Sequence, residues 1–464
     1  MRRSLATALV VLAVGVSALG SCSRPLVPSA PAPSATPRTE PPPAPPGVPV
    51  PEPDPFPDAP APRDPGFGTG PVVRVALAAR QASYELRAER GWRLLDGRGG
   101  IVVRARASES WRVQRSGSRL RAVRSDGATT AWSAGALTQH ADGASGLLKA
   151  GAKRYRGAIR VVATDSGVLL VNMLPLEDYL RGVVPMEIGD RRANEQAAVE
   201  AQAIAARSFA VTRLVTARAG NGRSRHFDFV STVSDQVYGG RDAERPGADA
   251  AIVATAGLVL LARGRVVTAP FHSACGGETA AAEEVWRTNG EPHLRRVSDR
   301  IPGTNRYYCD IAPRFAWTRL LSGSELDEVV RRYLRTVADV GRDGPGRVRA
   351  LGVEGRTPSG RVAHLALRAE HGTYRVRGND ARSVLRTSSG EPLNSAYFSV
   401  TTEAASAGRI ARVVISGNGY GHGVGMCQWG AIGRARAGQD VGTILRTYYP
   451  GTALGPIPSR LLPP

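Results

Sequence analysis

Lysine is almost missing from this chain of 464 residues. Lys149 and Lys153 are the only two, yet Lys and Arg together number 61 against 40 Asp and Glu. The formal net charge of +21 and the pI of about 10.8 therefore come from arginine. Such a field attracts anionic polymers and raises encounter rates, and a general preference for arginine codons accounts for it equally well. Histidine is scarce, with seven, and none opens an HExxH, so the commonest zinc-protease signature is excluded. The four cysteines contain no CxxC pair, which argues against a thioredoxin-like redox role. Repeats of solenoid length are lacking. The apolar stretch at residues 8–16 is too short and too rich in small side chains to span a bilayer.

That stretch instead follows Arg2 and Arg3 and precedes Leu19-Gly20-Ser21-Cys22. This order reads as an export signal at residues 1–22 ending on a lipidation cysteine, Cys22, with an ordinary secretory signal as the rival reading. One acyl chain holds a protein only marginally, so stable anchoring to the membrane needs two or three. Residues 23–70 form a stalk. Between Ser23 and Gly66 lie 18 of the 34 prolines, which rules out a packed core. Polyproline geometry at about 3.1 Å per residue gives a reach on the order of 100 Å. An exported, membrane-tethered domain meets wall polymer rather than nucleic acid, so nucleic acid is not an expected partner despite the charge.

Residues 71–454 read as one α+β domain, with residues 455–464 as a tail. Alternating runs such as VVRVALA, GIVVRARAS and GAIRVVAT predict a β-rich first part. Pro175, Glu177 and Asp178 suit the start of a short helical turn. Asn194 is expected to cap a helix running from Glu195 to about Thr216, whose alanines surround its axis and mark it as a central packed helix. Gln196, Glu200 and Arg207 share one stripe of it. GLVLLARGRVVTAPFHS predicts a hairpin, residues 315–399 an inserted α/β subdomain, and residues 435–449 a closing helix.

Glu187 is an isolated acid among Val183, Val184, Pro185, Met186 and Ile188, placed by pattern in an apolar turn ahead of the alanine-rich helix. Desolvation disfavours a charged carboxyl and raises its pKa, which is what a general acid requires. A partly exposed loop glutamate without a role has the same local sequence. The run GNGYGHGVGMCQWGAIG has glycine at 417, 419, 421, 423 and 425, in no GxGxxG register. It reads either as a tight bend or as a groove where His422, Gln428 and Trp429 offer a glycan a ring face and polar donors. Gln236 and Tyr238 of SDQVYGG are polar groups beside a turn.

Taken in order, LPLEDYLRGVVPMEI, EAQAIAARSFA, SDQVYGG, FHSACGGET and GYGHGVGMCQWGAIG resemble the SpoIID family, which includes stage II sporulation protein D and the LytB amidase enhancers. The resemblance spans residues 72–452. It implies a peptidoglycan lytic transglycosylase whose catalytic acid is Glu187, with Arg207, Gln236, Tyr238, His422, Gln428 and Trp429 as candidate substrate contacts. Peptidoglycan glycan strands would be the partner and no organic cofactor would be required. A non-catalytic enhancer that grips glycan and recruits a cell-wall amidase is the alternative. Some members of the family carry zinc near the HSxCGG block, which makes His272 and Cys275 candidate metal ligands. Glu278 stands here where a second histidine often appears. A Cys275–Cys309 disulfide is the competing reading, natural in an exported protein, and leaves Cys427 unpaired.

Overall fold

The computed structural model describes residues 70–461 apart from 144, 218, 220–225, 233 and 388. The signal, Cys22 and the stalk therefore lie outside the described residues. No helix among the described residues is long and apolar enough to cross a membrane.

The first part is β-rich, as its alternation predicts. A seven-stranded sheet is built around the strand Gly167–Pro175, flanked by Val72–Gln81 and Ala158–Thr164, both antiparallel to it. Val168, Leu170 and Leu174 of that strand face the main core, while Leu169, Val171 and Met173 face a smaller cluster behind the sheet. Period-two alternation thus becomes burial on both faces. A six-stranded sheet through Tyr84–Ala88 and Trp111–Ser116 adds Leu86, Val113 and Leu120 to the same core.

Eight α-helices follow among the described residues. α1 (Leu176–Ile188) leads through a short 3-10 turn (Ala193–Glu195) into α2 (Gln196–Thr216), and α3 is Pro246–Ala254. α4 is Ala282–Val285, α5 Gly323–Tyr333, α6 Gly378–Val384, α7 Gln428–Arg436 and α8 Val441–Tyr448. α2 is the central helix: Ala198, Ala201, Ala203, Ala205, Ala206 and Ala210 are all fully buried. Asn194 does not cap it. Instead the Glu195 side chain turns back to accept from the Arg192 backbone N–H at 3.1 Å. The expected hairpin forms from Leu258–Ala262 and Arg265–Val266, turning at Arg263 and Gly264, both at positive φ. Leu258–Ala262 also pairs with Ala453–Pro456, so Gly455 and Pro456 belong to the domain rather than to the tail. The single closing helix is two. α7 ends at Arg436, and Asp440 starts α8 by accepting from the Thr443 N–H at 2.8 Å.

The inserted subdomain extends further than 315–399. Its sheet Ala316–Ser322, Ile410–Asn418 and Phe398–Ala404 needs the strand ending at Asn418, and a second sheet runs through Val348–Arg356, Val362–Ala369 and Gly372–Arg377. Leu326, Val330, Leu365, Leu367, Val413 and Ile415 form a core separate from the main one. Ser322 and Glu325 cap α5 reciprocally, at 3.2 and 2.8 Å.

Candidate active site at the end of the first helix

Glu187 is not in a turn: it is the penultimate residue of α1, which continues helically through Pro185 and stops at Gly189, φ 76°. Leu180, Val183 and Val184 bury one face of α1 completely, while Met186 stays 48% exposed. Glu187 is half-buried. Burial raises its pKa above the ordinary carboxyl value, and a hydrogen bond from the Val237 N–H to Oε1 (3.1 Å) opposes this in part. Neither cause is a neighbouring charge. The C-terminal end of a helix, where unpaired carbonyls point, further disfavours an anion. With Oε1 taken by an N–H donor, Oε2 is left as the oxygen to carry a proton.

The segment supplying Val237 is locked from below. Gln236 accepts from the Tyr179 hydroxyl at 3.1 Å and donates to the Ala206 carbonyl at 3.5 Å. The Tyr238 hydroxyl donates to Asn172 Oδ1 at 2.8 Å, and the Tyr238 ring stacks on Tyr179 with centroids 5.3 Å apart. The Gly239 N–H donates to the Gly182 carbonyl at 3.0 Å, tying the loop to α1. Gln236 and Tyr238 are both buried, so they form the floor that positions Val237.

Arg207 is also interior, at 0% side-chain exposure. Its Nε and Nη2 donate to both Glu177 oxygens at 2.8 and 2.7 Å, and Nη1 donates to the Leu258 carbonyl at 3.1 Å. It braces the start of α1 against the helix–strand turn after α3. It is not brought to Glu187.

The glycine-rich segment is a packed seam rather than an open groove. It pairs with residues 271–274 through Phe271↔Met426, His272↔Cys427 and Ala274↔Tyr420. A Cβ on Gly425 would lie 2.0 Å from the Pro270 carbonyl oxygen, and its φ of 70° favours glycine as well. Both His422 nitrogens are used: Nδ1 accepts from the Val424 N–H at 3.0 Å, so Nε2 carries the proton and donates to the Phe271 carbonyl at 2.9 Å. Burial pushes this imidazole down to about 4, which keeps it neutral. Buried Gln428 donates to Gln202 Oε1 at 3.2 Å and links α7 to α2. Trp429 is the exception. It is half-buried, and the Arg191 guanidinium, four residues beyond Glu187, sits 5.1 Å from its ring centroid. Of the six sequence-derived contact candidates, Trp429 thus remains at a surface beside the end of α1. Sequence reasoning missed Arg191 and the Val237 N–H; a cation just after the GVVPMEIG stretch was visible, but a backbone donor leaves no mark in side-chain identity. A shallow cavity of about 480 Å³ lies elsewhere, on the inserted subdomain at Trp317, Thr318, Ser399 and Ser416.

The thiols gather in a buried cluster of their own. Cys275, Cys309, Cys427 and Asp299 are all buried, with their ligand atoms within 4.8 Å of one another. The three thiols are unbridged. Cys275 Sγ lies 3.4 Å from Cys309 Sγ and 3.5 Å from Asp299 Oδ2. His272 is next to this cluster but not one of its four members. Its Nδ1 donates to the Val424 carbonyl at 3.1 Å, and Nε2 is buried without a well-formed hydrogen bond. Glu278 pairs with Arg296 at 3.4 Å. The donor chemistry, three sulfurs and one carboxylate oxygen, fits a tetrahedral zinc ion better than the His272–Cys275 pair does.

The sequence of this region is similar to that of known proteins. The SpoIID family model, Stage II sporulation protein, matches residues 164–261, which contain α1, α2, α3 and Glu187. A second model, for a domain of unknown function, matches residues 303–425, close to the inserted subdomain. The Stage II sporulation protein D of Bacillus amyloliquefaciens is 30% identical over 303 residues, 63% of this chain and 77% of that protein. The chain belongs to the SpoIID family. An uncharacterised protein of Brachyspira hyodysenteriae is 30% identical over 297 residues, 64% of this chain and 71% of that one. The Amidase enhancer of Bacillus subtilis is 28% identical over 312 residues, which are 59% of this chain but only 40% of the enhancer.

Proposed function

We propose that this protein acts on the bacterial cell wall as a peptidoglycan lytic transglycosylase, with Glu187 as its single acid and base. The observation that carries the reading is a half-buried carboxyl whose pKa is raised by desolvation, with one N–H donor and no charged partner behind the shift. An ordinary glycosidase needs two carboxylates, one for the leaving group and one for water or covalent attack. Attack by the sugar's own C6 hydroxyl needs one. Protonated Oε2 of Glu187 gives its proton to the glycosidic oxygen as the bond from that oxygen to C1 breaks. The resulting carboxylate then takes the C6 hydroxyl proton while that oxygen bonds C1, closing a 1,6-anhydro ring. The proton is returned, no water is consumed and no organic cofactor enters. Arg191, held over the Trp429 ring, offers a positive charge for a stem-peptide or polymer anion.

On this reading the chain is exported and tethered through Cys22, with the stalk carrying the domain into the wall. Incubating intact and peptide-stripped sacculi with wild type and Glu187→Gln tests the chemistry. Anhydro ends in the muropeptide mass spectrum are expected from wild type and absent from the variant, which should still bind glycan. An undiminished rate in Glu187→Gln would remove this residue from the mechanism.

The similarity to an amidase enhancer supports a second reading, a glycan-binding activator of a separate amidase. It predicts no anhydro ends from either protein, together with faster turnover of an added amidase. Zinc-dependent amide hydrolysis gains no support, because the thiol cluster is buried and offers substrate no approach.

A further inference from the structure

We propose that the outer face of the six-stranded sheet binds an extended phosphodiester polymer of the cell wall, along a track of Arg154, Lys149, Arg87, Arg112, Arg121 and Arg119. The sheet runs in the order Lys153–Tyr155, Leu148–Ala150, Tyr84–Ala88, Trp111–Ser116, Arg119–Arg124 and Ser133–Ala134. Its inner face, with Leu86, Val113, Leu120, Leu148 and Tyr155, packs into the main core. Alternation turns the six cations to the other side. Residues 84–155 hold 14 Lys and Arg against 6 Asp and Glu. That is an excess of eight out of the chain's 21 in less than a sixth of its length, more than an even spread of arginine would put there.

Strand register lines the cations up. Lys149 is directly opposite Arg87 on one side and Arg154 on the other. Arg112 is paired with Glu85, two residues before Arg87, and Arg121 with Gln114, two residues after Arg112. Arg119 comes two residues before Arg121 on the same strand. Neighbours of this kind stand about 5 Å apart directly across strands and about 7–8 Å apart on the diagonal, so the track is on the order of 30 Å long. Like charges directly opposite one another destabilise a sheet, and a bound anion would offset that repulsion in the row Arg154, Lys149, Arg87. Arg87 reaches Glu85 at 3.2 Å, and Arg154 reaches Glu89 at 3.2 Å and Asp242 at 2.6 Å. Lys149, Arg112, Arg119 and Arg121 have no carboxylate within ion-pair distance among the described residues. Arg121 donates to Gln114 Oε1 at 3.1 Å, and its guanidinium sits 4.6 Å from the ring centroid of exposed Trp132, which fixes its fork in place. Such forks match phosphate oxygens. A phosphodiester chain carries its charge in the backbone at every unit and can follow one continuous line, whereas stem-peptide carboxylates sit on side branches. Choosing a wall polymer over lipid headgroups rests on the cell-wall reading above, in which the stalk carries the domain away from the bilayer.

The test titrates end-labelled poly(glycerol phosphate) with the full chain at several salt concentrations, read by fluorescence anisotropy. With counterion release of about 0.7 per contact, the four cations that lack a carboxylate give a log–log salt slope of about −3, so affinity should fall about 50-fold between 50 and 200 mM salt. The double variant Arg112→Gln/Arg119→Gln should halve the slope and weaken binding at least about tenfold at the lower salt, with an unchanged circular dichroism spectrum. Arg331→Gln/Arg335→Gln removes the same charge from exposed positions at the end of α5 and just beyond it, and should bind like wild type. Lys149→Gln relieves the like-charge row, so it should weaken binding while melting no lower than wild type. Glu187→Gln should bind the polymer as wild type does, which separates this site from the proposed chemistry. Failure of wild type to bind the polymer, or equal weakening by Arg331→Gln/Arg335→Gln, would overturn the assignment. So would a Lys149→Gln protein that melts lower yet binds as well. An Arg112→Gln/Arg119→Gln protein that keeps the polymer but loses phosphatidylglycerol vesicles or single-stranded DNA would assign the face to a membrane or a nucleic acid instead.

Discussion

Replacing Gly182 by alanine tests how the carboxyl of Glu187 is held in place. On helix propensity alone the change favours the folded state by about 1 kcal/mol, because Gly182 is in the middle of α1. Packing opposes it. A Cβ at this position would lie 2.5 Å from Tyr238 Cε2, 2.8 Å from Cδ2 and 3.1 Å from the Gly240 carbonyl oxygen. Carbon atoms pack best at about 3.5–4.0 Å, so the ring must retreat by roughly 1 Å. It has little room, with its hydroxyl held by Asn172 and its faces against Tyr155 and Tyr179. Overpacking of this kind costs about 1–3 kcal/mol, which outweighs the propensity gain and leaves a net loss of about 1 kcal/mol. The larger effect falls on function. Tyr238 adjoins Val237, so a displaced ring draws the Val237 N–H away from Glu187 Oε1, and a misplacement of about 1 Å can cost up to 100-fold in rate. Gly182→Ala should therefore lower the melting temperature by a few degrees at most while cutting release of anhydro ends at least tenfold. A variant that is more stable than wild type and equally active would refute the packing argument and the role given to the Val237 donor.

The pH dependence of Glu187→Gln follows from the direction of its pKa shift. Burial raises the folded-state pKa above the unfolded value, so the carboxyl's favourable contribution is complete below the unfolded pKa and is lost as pH rises through the folded one. Denaturant titrations should find Glu187→Gln close to wild type near pH 4 and more stable than wild type near pH 8; the reverse order would contradict the desolvation argument. Wild-type turnover should fall on the alkaline side, above the ordinary carboxyl range, as the acid loses its proton. Glu177→Gln strands the buried Arg207 charge, and since Glu177 is itself 37% exposed the cost should be near the lower end of the usual range, about 3 kcal/mol. Thermal denaturation measures it, and glycan affinity should not change; weaker glycan binding at unchanged stability would instead put Arg207 in contact with substrate.

The parts of the molecule legible in the sequence are those fixed by local pattern. Alternation in residues 72–171 marks strands because period-two burial is a property of the extended chain itself. Alanine at six buried positions of α2 announces a helix surrounded by neighbours. The isolation of Glu187 among apolar residues foretells its desolvation, since four of its nearest sequence neighbours are buried with it. The contact residues were less legible. Gln236, Tyr238 and Gln428 carry hydrogen-bonding groups that suit a substrate, and sequence has no means of telling a group aimed at a ligand from one aimed at Asn172 or Gln202.

By itself, then, the chain's order of residues determined which segments extend, which coil and where a lone acid would lose water, because these depend on neighbours a few positions away. Tertiary structure alone decided what each polar side chain faces. It turned Arg207 inward to Glu177 across 30 positions, brought the Val237 N–H to Glu187 across 50, and drew Cys427 to Cys275 across 152. Partners so distant are chosen by how whole helices and strands pack, and that choice is written in no single motif.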